Sequence, residues 1–504
     1  MARESTTLDR KLEHGAHAAG APTPQGAVED QAWAFTAALS VGLVGILAVA
    51  PWPLGSNRPW ASTLLFFATA LFLVAAGTAL LFGRLRVPPV PLAAASALVL
   101  AASVVAWVLV QSGPAPAPHL AHPIWSLVPE TLPAVPAIAV DPPAARERLL
   151  RLLMPIGLVI LGFLLGADRE RADRLVSVVL VLSAVQAGFG LLRAAAGWEG
   201  IFGAGPGPDR VTGSFVNANH FAAYVNIGAI LGLVLLLERV RRSADSQHLG
   251  PALARLLSVA IQERPLLSAA FFVCLLAVAA SASRGGSLAL VVSLLVLLAI
   301  GLRGARRPLL WAGVVLLGSA TTWAITTGGE ILWERLATFD PRSEFSPDFQ
   351  GRILAFAFTL EQIAARPWLG HGYGGFLSLF NHARDERFAP GLLWDYVHNT
   401  YLELAVELGI PATVVLVLAV VLCHLPVIAA LRYGTRSPLP LAAIGVTLVQ
   451  ALHALVDFGW QIPAITATWA VLLGAATGRS ASSLARVRQG VAHEERTGAG
   501  SVAL

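Results

Sequence analysis

Polar side chains that could carry chemistry gather just ahead of an apolar segment. His398 and Asn399 begin a short polar run, and Glu403 and Glu407 follow it four residues apart. Residues at this spacing lie on one face of a helix, so the two carboxyl groups should lie side by side. A histidine titrates near neutral pH and can take a proton from a hydroxyl group. His398 is therefore the candidate general base, and the glutamates either orient it or contact the polar segment before it.

Two arginines are candidates for binding an anion. Arg284 stands in a very short connection between apolar segments and is followed by Gly285 and Gly286, whereas Arg352 begins an amphipathic segment. Arginine forms paired hydrogen bonds to phosphate, and ionisable residues at a membrane edge are often functional. The structural alternatives stay open. Arg284 could be a side chain that reaches the membrane interface, and Arg352 could be a solvated surface group.

A second polar run precedes another apolar segment. Arg210 comes first, and Asn217, Asn219 and His220 follow it. Asparagine is a common helix cap, so one interpretation of this run is purely structural. The alternative is that the two amides and the imidazole ring contact sugar hydroxyl groups.

Two further patterns do not predict a cofactor or metal site. His453 and Asp457 stand four residues apart, but no third ligand accompanies them. Residues 370–375 match the spacing of a dinucleotide-binding loop, yet no strand precedes them, so the pattern indicates a turn-rich bend. His371 and Tyr373 within this bend could still face a cavity.

The composition is that of a membrane protein. Hydrophobic residues make up 56% of the 504 residues and charged residues only 13%, against about 25% charged in soluble proteins. Runs of about 20 apolar residues predict helices that cross a bilayer. We therefore predict an all-α, polytopic transmembrane bundle of about twelve spans. They are placed at 33–52, 61–82, 91–111, 149–166, 173–195, 218–237, 266–282, 287–302, 308–326, 408–431, 439–456 and 461–478.

Arginines follow every second span, which predicts that both termini are cytoplasmic. The formal net charge of +5 is thus explained without nucleic acid. The predicted organisation is a disordered cytoplasmic tail without a cleavable signal peptide, spans one to nine, a large outer loop domain, spans ten to twelve and a cytoplasmic C-terminal tail. These parts are assigned to 1–31, 32–326, 327–407, 408–478 and 479–504. Within the loop, the apolar periodicity of residues 351–366 predicts an amphipathic helix. No role is predicted for the outer connection 112–148.

Four stretches, in this order, resemble the O-antigen ligase and polymerase superfamily of bacterial membrane glycan transferases. They are Gly213 to Ala222, Ser283 to Gly286, Gly351 to Gly374 and His398 to Gly409, within roughly residues 200 to 460. The resemblance implies a fold like that of GT-C glycosyltransferases with a large periplasmic loop. It also implies a metal-independent enzyme without a cofactor, in the bacterial inner membrane. Such an enzyme moves a glycan from undecaprenyl diphosphate to an acceptor hydroxyl.

The resemblance also assigns roles to residues. Arg284, Arg352 and Arg210 would bind the diphosphate, and His398 would activate the acceptor. The remaining polar residues are expected to contact the sugar or the acceptor, or to support the site; they are Asn217, Asn219, His220, Asn399, Glu403 and Asp457.

Several functions share these features. The leading prediction is a ligase that joins a polymer to lipid A–core on the periplasmic face, with a polymerase for O-antigen or exopolysaccharide and a protein O-oligosaccharyltransferase as alternatives. A small-anion transporter of the bicarbonate type is the alternative from a different class. The chain has no visible internal repeat, whereas many transporters have two related halves. The sugar, the acceptor and the oligomeric state stay open.

Overall fold

The computed structural model describes residues 24–85, 87–129, 131–166, 168–198, 210–241, 255–256, 258–302, 347–386, 388, 394–433 and 437–499. These residues form α-helices joined by turns and short 3₁₀ segments, and no strand occurs among them. The helices are α1 (Pro24–Val49), α2 (Pro59–Leu81), α3 (Leu92–Ser112), α4 (Pro142–Leu165), α5 (Arg169–Ala195), α6 (Ala218–Arg241), α7 (Pro265–Ala280), α8 (Arg284–Gly301), α9 (Pro347–Ala365), α10 (Phe376–Ala383), α11 (Thr400–Leu408), α12 (Ile410–Arg432), α13 (Leu439–His453) and α14 (Pro463–Ala499).

The predicted all-helical class is confirmed for the described part of the chain. Eleven of the predicted spans coincide with a helix, and the ninth, at 308–326, lies outside the described residues. Among the described residues, seven helices are long and apolar enough to cross a membrane, namely α2, α3, α4, α5, α6, α8 and α12. The total of about twelve spans therefore stays a prediction.

Helix α6 forms the centre of the bundle. In its most apolar stretch, 94% of the residues are buried, whereas the other long apolar helices are at most 44% buried. It packs against α5, α7, α8 and α13. The polar run predicted at its start is therefore attached to the most buried of these long apolar helices, and a site needs such rigid support.

Helix α14 packs closely along α4, and glycines make this approach possible. A Cβ atom added at Gly474 would lie 2.1 Å from the carbonyl oxygen of Val159, and one at Gly162 would lie 2.5 Å from that of Val471. Small residues allow helix backbones to come this close within a membrane bundle. The contact fixes α4, whose outer end carries arginines that matter for the site.

A second, smaller core joins the helices of the segment that is predicted to lie outside the membrane. Helices α9, α10 and α11 and the residues between them bury a cluster of aromatic and aliphatic side chains, including Phe358, Phe376, Phe380, Phe388 and Val406. The amphipathic helix predicted at 351–366 is thus present as α9, and it begins earlier, at Pro347. Arg352 consequently lies in the second turn and not in the first as predicted, because proline is favourable at a first helical position and extends the helix.

The connection 113–141 holds this outer segment in place. The backbone amide of Val140 donates to the carbonyl of His371 at 2.7 Å, and the Ser378 hydroxyl donates to Asp141 at 2.6 Å. Asp141 also caps α4 by accepting from the amide of Ala144 at 3.0 Å. The connection that had no predicted role therefore links α4 to the loop helices.

Candidate functional site

Asp457 lies at the centre of the candidate site. Helix α13 ends at His453, and the chain turns before Asp457, so the four-residue spacing of these two residues is not that of a helix face. The span predicted to end at 456 ends earlier in the structure, because the chain turns at Ala454. The amide of Ala454 still donates within the helix, but its carbonyl accepts from the amide of Thr400 at 3.0 Å. Asp457 is only 1% exposed and lies in the loop after the helix.

Four polar side chains from three parts of the chain surround the Asp457 carboxylate. The Nδ2 atom of Asn219 donates to Oδ2 at 2.7 Å, and Nε2 of His220 lies 3.4 Å from Oδ1. The Nδ1 atom of His398 and an Nη atom of Arg352 each lie 3.9 Å from Oδ2. Polar residues widely separated in sequence thus meet at one buried carboxylate.

The surroundings keep this carboxylate ionised. Burial by itself would raise the pKa of Asp457. The neighbouring His220, His398 and His453 rings together have the larger, opposite effect, and the pKa of Asp457 lies well below its usual value. A buried anion of this kind needs compensating donors and cations. Asp457 therefore supplies a fixed negative charge that orients the histidines around it.

The backbone at His398 is held in an unusual conformation. Its φ angle is +61°, a region that residues other than glycine seldom adopt. On either side, Glu403 accepts from the amide of Val397 at 2.9 Å, and the Asn399 side chain caps α11 and donates to the carbonyl of Leu455. Asn399 and Glu403 thus stabilise the turn that presents the imidazole.

Glu403 and Glu407 lie inside the protein, away from solvent. They are 1% and 3% exposed, and Glu407 accepts from the backbone amide of Phe376 at 3.2 Å. Burial and the neighbouring Glu407 raise the pKa of Glu403 to about 8, although the positive charge of Arg148 opposes this. Glu403 is therefore protonated at neutral pH, which suits a buried side chain in a structural role.

Arg210, which precedes α6, binds the turn between α7 and α8, and this turn leads into Arg284. The Arg210 guanidinium donates to the carbonyls of Ser281 and Ala282 at 3.0 and 3.3 Å, and to Oδ1 of Asn219 at 3.1 Å. Arg284 is the first residue of α8 and its side chain is exposed. Through Asn219, this turn is connected to Asp457.

The turn also packs directly against the Asp457 segment. A Cβ atom added at Gly285 would lie 2.6 Å from Cγ2 of Val456, and Arg352 donates to the Val456 carbonyl at 2.9 Å. The structure therefore places Arg352 and His398 beside Asp457, and it links Arg210 to Asp457 through Asn219. The backbone of Arg284 lies one residue from the contact of Gly285 with Val456.

A cavity of about 340 Å³ lies beside these residues. Three of the predicted residues line it, namely Asn217, His220 and His398, whereas Arg210, Arg284 and Arg352 do not. Asn217 also caps α6, since its Oδ1 accepts from the amide of Asn219 at 2.7 Å. The other lining residues are Asn57, Arg58, Val216, Trp394, Asp395, Tyr396 and Phe458.

An aromatic pair that sequence reasoning missed holds the two histidines. The Tyr396 and Phe458 rings are stacked with centroids 4.0 Å apart and planes 7° apart. The rings of His220 and His398 approach Phe458 nearly edge to face, with centroids 4.6 and 4.9 Å away. Such contacts restrict ring rotation, so the imidazoles are held in position.

Arg148 and Arg151 were also missed. The Arg148 guanidinium lies 4.8 Å from the Tyr396 ring centroid, and Arg151 donates to the Tyr396 hydroxyl and to Oδ1 of Asn57, both at 3.3 Å. A signal was available: both arginines stand at the end of the fourth predicted span that the topology places outside, where the positive-inside preference does not explain them.

The bend at 370–375 has the predicted character. Gly370, Gly372 and Gly374 all have positive φ angles, between 66° and 103°. His371 does not line the cavity beside His398: its Nδ1 bonds to Nε2 of His122 at 2.9 Å, and its Nε2 contacts the Gln362 carbonyl at 3.0 Å. Burial lowers the pKa of His371 to about 4, so this pair is neutral at physiological pH.

Tyr373 is absent from the lining of the site cavity as well. Its amide donates to Oε1 of Gln111 at 3.3 Å, and its side chain packs in the small apolar cluster with Leu152 and Leu408. Within the described ranges, no group of three or more His, Cys, Asp and Glu side chains could hold a metal ion.

Comparison with known proteins gives one family. Residues 269–417 match the family model described as O-antigen ligase, which confirms the resemblance to the O-antigen ligase superfamily. The matched segment includes Arg284, Arg352 and His398 but ends before Asp457. Comparison with curated proteins gives no match. The family match supports, in general, a membrane glycosyltransferase of the O-antigen ligase or polymerase type.

Proposed function

We propose that the protein transfers a glycan from undecaprenyl diphosphate to a hydroxyl group of lipid A–core, on the periplasmic face of the bacterial inner membrane. The observation that carries the proposal is the meeting of His398, Arg352 and, through Asn219, Arg210 at the carboxylate of Asp457. These residues supply a base and cations at one point. Those are the groups that glycosyl transfer from a diphosphate requires.

His398 acts as the general base. Its Nδ1 atom faces Asp457, which leaves Nε2 to accept the proton of the acceptor hydroxyl. The carboxylate favours the imidazolium that forms when the proton arrives. General-base assistance of this kind contributes about 10²–10⁴-fold to rate.

The arginines hold the leaving group. As the acceptor oxygen bonds to the anomeric carbon, the bond from that carbon to the diphosphate oxygen breaks and its electron pair leaves with the diphosphate. Negative charge grows on that group, and fixed guanidinium groups of Arg284, Arg352 and Arg210 stabilise it. The exposed position of Arg284 suits contact with a headgroup at the membrane surface. His398 afterwards releases its proton to water.

The proposed orientation follows from the arginine pattern. Both termini lie in the cytoplasm, and the segment 327–407 forms the periplasmic loop domain. Because Arg352 and His398 belong to this loop and contact Asp457, they belong to the same side of the membrane as the turn that carries Arg284.

Two related reactions use the same chemistry. A polymerase would transfer the glycan to a growing polymer, and a protein O-oligosaccharyltransferase would transfer it to a protein hydroxyl. No particular observation favours either over the ligase. A small-anion transporter needs no general base, so it would not account for the contact between His398 and Asp457.

The test is deletion of the gene in its host, followed by analysis of the surface lipopolysaccharide. Loss of a ligase leaves lipid-linked polymer and bare core, whereas loss of a polymerase leaves core that carries a single repeat unit. Complementation with His398→Ala should fail, while the matched variant His371→Ala should restore the polymer. An unchanged lipopolysaccharide after deletion would contradict the ligase proposal.

A further inference from the structure

One wall of the site cavity is formed by a tightly held turn between α1 and α2. Leu54, Gly55 and Ser56 all have positive φ angles, of 57°, 70° and 57°. Their conformation is stabilised by the Ser56 hydroxyl, which donates to the carbonyl of Ala50 at 2.7 Å. The turn ends in Asn57 and Arg58, which both line the cavity. Arg58 is thereby placed at the cavity on a fixed backbone.

Arg151 supports the same wall from behind. One Nη atom of its guanidinium donates to Oδ1 of Asn57 and to the Tyr396 hydroxyl, each at 3.3 Å. Both partners are neutral, and both line the cavity. Arg148 differs from Arg151 in its partners, because the positive charge of Arg148 faces the buried Glu403 and Glu407. Within the described residues, no carboxylate forms an ion pair with Arg151.

The charged groups at this wall leave an excess of positive charge. Arg58 and Asp395 are the charged side chains among the lining residues, apart from the histidines, and both are exposed. Arg151 adds a positive charge directly behind Asn57 and Tyr396. With Asp395 included, these groups carry two positive charges and one negative charge, and the positive balance at a concave surface attracts an anion. The wall is therefore suited to an anionic group.

We propose that Arg58, with Arg151 behind it, forms a subsite for a phosphate or carboxylate group on the acceptor glycan. This inference rests on the proposed function. The arginines proposed to hold the donor diphosphate do not line the cavity, whereas His398, which takes the acceptor proton, does. An anion that enters the cavity therefore belongs to the acceptor. Its volume of about 340 Å³ is within the range of small-molecule sites, about 300–1,000 Å³.

The test measures binding of a simple sugar phosphate to the purified full chain in detergent. Glucose 6-phosphate is the probe, glucose is its neutral counterpart, and saturation-transfer NMR reports the bound fraction. The wild type should bind glucose 6-phosphate and bind glucose much more weakly. Arg58→Gln and Arg151→Gln should each weaken binding of the phosphate about tenfold, as expected for loss of a contact with a charged group.

Control variants locate the bound anion. The doubly substituted Arg284→Gln/Arg352→Gln protein and the distant, exposed variant Arg432→Gln should bind the probe like the wild type. The proposal is overturned if Arg58→Gln and Arg151→Gln bind normally, or if only the Arg284/Arg352 variant loses binding, because the phosphate would then occupy the donor side. Arg151→Lys, which keeps the charge, should retain most binding and controls for misfolding.

The same variants separate this subsite from the proposed reaction. His398→Ala should still bind glucose 6-phosphate although it no longer transfers glycan. If His398→Ala transfers normally, the proposed function fails, yet the binding result stands. If transfer depends on His398 but binding is insensitive to Arg58 and Arg151, only the subsite fails.

Discussion

The Nδ1 atom of His398 lies 3.9 Å from the Oδ2 atom of Asp457. The two residues come from different segments, one on each side of α12 and α13, and Asp457 is almost completely buried. This relationship fixes which nitrogen of His398 is available to a substrate. It also places the base next to Arg352, an Nη atom of which lies 3.9 Å from the same carboxylate.

Asp457→Asn should reduce glycan transfer about 100-fold. Asparagine keeps the shape of the side chain but removes the negative charge that favours the protonated form of His398, so part of the general-base contribution is lost. Transfer is measured in membranes with lipid-linked glycan as donor, after normalisation to the amount of folded protein. Asp395→Asn, which changes an exposed carboxylate of the same cavity, is the matched control and should keep transfer within about threefold. Equal effects of the two substitutions would remove Asp457 from the account.

Gly285→Ala should lower transfer about tenfold while the protein still folds. The new methyl group would lie 2.6 Å from Cγ2 of Val456, so the Arg284 turn or the Asp457 segment must move. Overpacking of this kind typically destabilises by about 1–3 kcal/mol. Gly188→Ala is the control, since no atom lies within 4 Å of its added Cβ. Wild-type transfer by Gly285→Ala would show that the spacing of these two segments is unimportant.

Glu403 should make the stability decrease as the pH rises from 6 to 8. Its pKa is raised by burial to about 8, above the unfolded value near 4.5, so the folded state holds a proton that the unfolded state has already lost. The free energy of unfolding then falls by up to about 1.4 kcal/mol per pH unit in this window. Below about pH 4.5 the contribution is fully present, because both states are protonated.

Thermal unfolding of the detergent-solubilised protein at several pH values measures this effect. Glu403→Gln should remove the decline, whereas Glu386→Gln, at an exposed position, should retain it. Parallel curves for the wild type and Glu403→Gln would mean that Glu403 is ionised in the folded protein.

Several candidate residues could be recognised within short stretches of the sequence. Arg284 stands in a turn that is predicted to face outward, where the positive-inside preference does not explain an arginine, and His398 precedes a long apolar segment. Each position could therefore be recognised locally. The helix that carries Arg352 followed from its apolar periodicity. These signals lie within short stretches of chain.

The role of Asp457 depends on contacts that no short stretch contains. Asp457 follows the end of α13 at His453, and helix ends are poorly determined by periodicity alone. The stacking of Tyr396 on Phe458 and the contacts of Arg151 with Asn57 join segments that are distant in sequence. Only the packing of the whole bundle brings these groups together.

Transfer by His398→Ala tests the central claim most directly. The variant is compared with the wild type and with His371→Ala in membranes that contain the lipid-linked donor, and retained folding is checked by size-exclusion chromatography. The account predicts that His398→Ala loses at least about 100-fold in transfer, while His371→Ala remains active. Near-normal transfer by folded His398→Ala would contradict it.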